Sequence, residues 1–98
     1  MGFKDIKSQV LACLAAVNIQ HEQRRLIDVK NLLVTGQISE GEVSEVIARA
    51  KGNEYKLSKH HVIPTIDVHL LKTHYQGQNW YIKWYFIEPD SVFISVHH

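Results

Sequence analysis

The chain has 98 residues, 45% of them hydrophobic, and a formal net charge of +1, which suits one compact domain with a single core. Residues 1–53 carry seven Lys/Arg against six Asp/Glu, and residues 54–98 carry four of each, which argues against a strongly basic, nonspecific nucleic-acid binder. Cys13 is the sole cysteine, so an internal disulfide and a zinc–cysteine framework are both excluded. No stretch approaches the roughly 18 apolar residues of a membrane span. The start, Met1-Gly2-Phe3-Lys4-Asp5-Ile6-Lys7, lacks the apolar run of a signal peptide. A cytoplasmic protein is the expectation.

Phe3, Ile6, Val10, Cys13, Leu14 and Val17 recur at helical spacing and predict a first helix over 3–17, with Cys13 as a core thiol. Asn18 and Ile19 read as a break. Leu26, Val29, Leu32 and Leu33 predict a second helix over 21–35, closed by Gly36. Ser39-Glu40-Gly41-Glu42 has the spacing of a capping box, flanked by Ile38 and Val43 as a hydrophobic staple. A third helix, 40–50, follows with Val43, Val46, Ile47 and Ala50 as its buried stripe.

From Glu54 the period changes to that of strands. Tyr55 to Ile63 predicts a strand stopped at Pro64, which suits a sheet edge. Val68 to Tyr75, Trp80 to Ile87 and Val92 to His97 predict three more. The expected fold is α+β: three N-terminal helices (residues 1–53) on one face of a three- to four-stranded antiparallel sheet (residues 54–98), all in one domain, 1–98.

Alternation along 80–87 separates Trp80, Ile82, Trp84 and Phe86 from Tyr81, Lys83, Tyr85 and Ile87. The first set should face the helices. A type II′ hairpin with Gly77-Gln78 as its loop would place Tyr75 opposite Trp80, His74 opposite Tyr81 and Lys72 opposite Lys83. A three-residue loop, Pro89-Asp90-Ser91, would place Trp84 opposite Val96, Phe86 opposite Ile94, Lys83 opposite His97 and Tyr85 opposite Ser95.

The open face would then hold Lys72, His74, Tyr81, Lys83, Tyr85, Ser95 and His97. Lysines and phenols bind an anion, and imidazoles move protons near neutral pH. Residues 55–98 hold six of the seven histidines, so chemistry is expected there. A one-sided sheet with a polar outer face, used only to bind a protein, shows the same alternation. No HxH or helical HxxxH spacing supports a metal site. His97 and His98 stand last, where native residues and the start of a purification tag read alike.

Three segments resemble the MqsR family of bacterial toxin–antitoxin ribonucleases, which have a RelE-like fold. They are Arg25-Leu26-Ile27-Asp28-Val29-Lys30-Asn31-Leu32-Leu33-Val34-Thr35-Gly36-Gln37-Ile38, then Glu54-Tyr55-Lys56-Leu57-Ser58, and last Trp80-Tyr81-Ile82-Lys83 with Val92-Phe93-Ile94-Ser95-Val96-His97. The resemblance implies an endoribonuclease that cuts single-stranded mRNA and is neutralised by a partner antitoxin. It carries family site residues onto Lys56 and Tyr81, and sets His97 where the family has a lysine. The family's glutamine before the hairpin has no match among Asp67, Val68 and His69. The segment between 38 and 54 is shorter than the family's, and the first helix is extra.

The resulting expectation is catalysis by Lys56, Tyr81 and His97, with RNA held by Lys72, His74, Lys83 and Tyr85. No metal or cofactor is needed, because RNA supplies its own nucleophile in the 2′-hydroxyl.

Overall fold

The computed structural model describes residues 2–21, 31–33, 35–60 and 62–98. Helix α1 spans Phe3–Ala16 and buries Ile6, Val10, Cys13 and Leu14. Strand β1 is Ile19–His21, and α2 is Glu40–Arg49. A 3₁₀ turn at Gly52–Glu54 leads into β2 (Tyr55–Lys59), followed by β3 (Asp67–Tyr75), β4 (Gln78–Ile87) and β5 (Asp90–His97).

The capping box forms as local chemistry dictates. The Glu42 amide donates to Ser39 Oγ at 3.2 Å, and the Ser39 amide donates to Glu42 Oε1 at 3.4 Å. Ile38 and Val43 are both buried beside it, the arrangement of a staple. At the other end of α2, the Lys7 ammonium of α1 donates to the carbonyls of Ala48 and Ala50 at 3.1 and 2.7 Å. A cation there meets the negative end of the helix dipole and ties the two helices together.

The sheet order is β1-β5-β4-β3-β2. β1 runs parallel to β5, with Ile19 opposite Ser91 and His21 opposite Phe93; the other pairings are antiparallel. One core lies between the helices and one face of this sheet. Ile6, Val10 and Leu14 of α1 and Val43, Val46 and Ile47 of α2 pack over Leu71, Trp80, Ile82, Trp84, Phe93 and Val96. Trp84 and Phe93 are the largest fully buried side chains. Along β4, Trp80, Ile82 and Trp84 are buried while Tyr81, Lys83 and Tyr85 between them are half-buried.

The expected architecture of three helices on three to four antiparallel strands is corrected here. The described residues form two α-helices and a five-stranded mixed sheet. Residues 22–30 of the expected 21–35 helix lie outside the described residues. Its described ends are not helical: His21 belongs to β1, and Asn31 bridges in parallel to Val96. The break expected at Asn18 and Ile19 is the entry to β1, a strand too short to show alternation.

Both hairpins differ in register from expectation. The loop between β3 and β4 is Gln76-Gly77, and both residues have positive φ (51° and 79°), the pattern of a type I′ turn rather than II′. Tyr75 therefore faces Gln78, Thr73 faces Trp80 and Lys72 faces Tyr81. The loop between β4 and β5 is Glu88-Pro89, with Ile87 opposite Asp90. A bulge follows: Trp84 faces Phe93 but Lys83 faces Ser95, leaving Ile94 as the extra residue. The bulge turns Phe93 and Val96 both toward the helices, which an unbroken ladder would not do.

Candidate functional site

Backbone register sorts the open face into rows across the sheet, since directly opposite residues share a face. One row is Lys72 on β3, Tyr81 on β4 and His97 on β5. The next is Lys56 on β2, Leu70 on β3, Lys83 on β4 and Ser95 on β5. On the other side of the first row, His74 faces Asn79, with His74 Nδ1 2.9 Å from Asn79 Oδ1. Every expected site residue is on this face, although the partners differ from those expected.

Tyr81 is sandwiched. Its ring stacks on the His97 imidazole at a centroid distance of 5.0 Å and an interplanar angle of 12°. The Lys72 ammonium lies 5.8 Å from the same ring's centroid, within cation–π range. Both neighbours come from flanking strands, so they hold the ring from its two sides. The edge that bears the hydroxyl is what remains for a ligand. The expected Lys72–Lys83 opposition is replaced by Lys72 opposite Tyr81 and Lys83 opposite Leu70.

Two expected residues stand apart from this centre. Lys56 is on the edge strand, and β3 and β4 lie between it and His97, about 14 Å at the usual strand spacing. That position suits a contact to a neighbouring phosphate better than a role at the reacting atoms. Tyr85 lies in the row of Val68 and Val92, where His60 packs edge-on against its ring at 5.2 Å and 88°. His60 is buried, and its Nδ1 accepts from the amides of Val62 and Ile63 at 3.1 Å each. His60 thus covers this end of the face, and Tyr85 packs against it there. His61 lies outside the described residues.

Sequence reasoning missed Glu54, Thr73 and Asn79. Glu54 ends the 3₁₀ turn, where its carboxylate accepts from the Lys51 amide through Oε1 (2.9 Å) and from the Thr73 hydroxyl through Oε2 (2.9 Å). The Lys51 amide, then the Thr73 hydroxyl and the Lys51 charge, hold its carboxyl below the usual range. Glu54, Thr73 and Asn79 line a concavity of about 450 Å³ together with Lys72 and Tyr81. Glu54 precedes the strand alternation, so no periodic signal marked it.

The helix-facing side of the sheet carries a second polar group. Tyr55 Oη is 2.6 Å from His69 Nδ1, and Lys59 pairs with Asp67 at 2.6 Å on the surface nearby. Burial lowers the His69 pKa against the opposing charge of Asp67, and burial raises the Tyr55 phenol. Both are therefore neutral near pH 7, as a satisfied core pair should be.

Among the described residues, no group of three or more His, Cys, Asp or Glu side chains is placed to hold a metal ion. No described helix is long and apolar enough to cross a membrane. No protein-family model matches the chain, and no curated protein matches it significantly.

Proposed function

We propose that this chain is a cytoplasmic endoribonuclease that cuts single-stranded RNA without a metal ion, and that a protein antitoxin neutralises it. The observation that carries this reading is the Lys72–Tyr81–His97 row, with Lys83 in the adjoining row. It sets fixed positive charge, a phenol donor and imidazole side by side on the open face of a stiff sheet.

In the proposed reaction the 2′-hydroxyl attacks the adjacent phosphorus and His97 takes its proton. Lys72 and Lys83 stabilise the extra negative charge on the non-bridging oxygens, and Tyr81 donates its hydroxyl to one of them. His74, oriented by Asn79, returns a proton to the departing 5′-oxygen. The P–O5′ bond breaks as the P–O2′ bond forms, leaving a 2′,3′-cyclic phosphate and a 5′-hydroxyl. The test is cleavage of end-labelled single-stranded RNA by the purified protein in EDTA, with the product ends identified.

A protein-binding module without catalysis is the second reading. Edge strand β2 is exposed along most of its length, and Leu57, Val62 and Ile63 are 57%, 69% and 47% exposed at that edge and the loop after it. Growth on expression separates the two, because an active ribonuclease arrests cells and a passive binder does not.

A further inference from the structure

We infer that the outer edge of β2 pairs with the same edge of a second copy of this chain, antiparallel and centred on Leu57. The inference does not depend on the ribonuclease reading, because it concerns the edge of the sheet and not the chemistry of its open face.

β2 is the last strand in the sheet order, and no strand among the described residues pairs with its outer side. One hydrogen bond fixes which backbone groups face that side. The His60 amide donates to the Ile66 carbonyl at 3.0 Å, one step beyond Lys59 opposite Asp67. Along an antiparallel pair, successive residues turn their backbone groups alternately toward the partner and away from it. Lys56 and Ser58 therefore bond β3, and Tyr55, Leu57 and Lys59 turn outward. The Tyr55 amide is taken by the Gly52 carbonyl. The edge is left with the N–H and C=O of Leu57 and Lys59 and the carbonyl of Tyr55. Such a row is a template for an added strand.

The side chains select a second copy and its register. A two-fold axis sets the residue at its centre against its own counterpart. Centring on Lys56 would put two ammonium groups directly opposite, which is destabilising. Centring on Ser58 would leave Tyr55 beyond the end of the copy's strand. Centring on Leu57, the midpoint of Tyr55–Lys59, overlaps the whole strand. Leu57 then meets Leu57 of the second copy, Lys56 meets Ser58, and Tyr55 meets Lys59. The two Leu57 residues exchange both backbone hydrogen bonds, and each Lys59 amide donates to a Tyr55 carbonyl. Leu57 is largely exposed in the single chain, so pairing covers an apolar side chain that otherwise faces water. Lysines ordinarily guard a sheet edge. Here the Lys59 ammonium is already paired with Asp67 at 2.6 Å, and Lys56 meets a hydroxyl. The two five-stranded sheets become one, with both open faces on the same side. A pair of short strands is a small contact, so the dimer is weak and forms with rising concentration.

The experiment is sedimentation velocity of the purified chain from low to high micromolar concentration, where wild type should pass from monomer to dimer. Leu57→Pro removes an outward N–H from each copy and none from the β2–β3 ladder. It should weaken association at least about tenfold and leave the thermal midpoint of the dilute protein close to wild type. Leu57→Arg, which sets two cations opposite one another, should do the same. Leu57→Cys should form an intermolecular disulfide under mild oxidation, because Cα atoms of a hydrogen-bonded antiparallel pair lie about 5.5 Å apart, within disulfide reach. Ser58→Cys, set opposite Lys56, should not, and neither should wild type, whose Cys13 is buried. Three results would each overturn the inference: wild type monomeric at the highest concentration, undiminished dimer in Leu57→Pro and Leu57→Arg, or equal cross-linking of Ser58→Cys. The first would leave this edge to a different protein. None of them bears on RNA cleavage.

Discussion

Tyr81 and His97 face each other across β4 and β5, with ring centroids 5.0 Å apart and planes inclined by 12°. With Lys72 against the same ring, the aromatic faces of Tyr81 are spent on neighbours in its own row. In the proposed reaction the hydroxyl is then the working atom. Tyr81→Phe keeps the ring and its packing and removes only that donor. We expect it to slow RNA cleavage by about 10²–10³-fold, as for a lost oxyanion donor. The assay is single-turnover cleavage; a wild-type rate in Tyr81→Phe would show that the ring, not the hydroxyl, matters.

The rows assign different work to the lysines. Lys56 sits on the edge strand, away from the Tyr81–His97 pair. Lys56→Ala should weaken RNA binding and lower the salt dependence of affinity by about one phosphate contact, with kcat little changed. Lys72→Ala should lower both kcat and affinity. Kinetics at several salt concentrations check this, and a kcat loss in Lys56→Ala as large as that in Lys72→Ala would bring Lys56 back to the reacting atoms.

The core predictions follow from burial. Trp84 has no solvent exposure, so Trp84→Ala should destabilise the fold by about 3–5 kcal/mol. Its indole N–H is buried with no hydrogen-bond partner among the described residues, so Trp84→Phe should cost clearly less. Ser39→Ala removes the cap of α2 and should cost about 1 kcal/mol. Urea denaturation measures all three; a Trp84→Phe cost equal to that of Trp84→Ala would show that the N–H does have a partner.

Stability should also depend on pH through buried imidazoles. Burial lowers the His69 pKa below its ordinary 6.5, and His21 shifts the same way for the same cause, opposed by the Glu40 charge. The unfolded chain therefore takes up protons at a higher pH than the folded one. Stability is fully present above about 6.5 and falls as pH drops from there through the lowered folded values. Thermal midpoints between about pH 8 and pH 5 should fall, and His69→Asn should flatten the slope. A midpoint that rises on acidification over this window would contradict the burial of these groups.

Legibility differed from element to element. The capping box at Ser39 needs only residues within one turn, so its spacing is enough to recognise it. The two faces of β4 were legible from alternation, whereas register was not. The β3–β4 register, and the β4–β5 register over Tyr81–Lys83, are displaced from expectation by two residues; between the turn and the bulge the β4–β5 displacement is three, which moves Phe93 to the helix side. A displacement of two changes every partner but no face, because side chains alternate with period two. So Lys72, Tyr81, Lys83 and His97 were grouped correctly with the wrong neighbours. The bulge at Ile94 and the parallel strand β1 depend on distant pairing and carry no local pattern. Tyr85 alternates as a surface residue should, yet His60 packs against it, which alternation cannot reveal.

The central claim is that His97 moves a proton during metal-independent RNA cleavage. The most direct measurement is the single-turnover rate of cleavage of labelled single-stranded RNA in EDTA, compared between wild type and His97→Ala across about pH 5–8. The account predicts wild-type cleavage that leaves a 2′,3′-cyclic phosphate and varies with pH. His97→Ala should be folded, slower by about 10²–10⁴-fold and without that pH dependence. A wild-type rate and pH profile in His97→Ala, or no cleavage by folded wild-type protein, would contradict it.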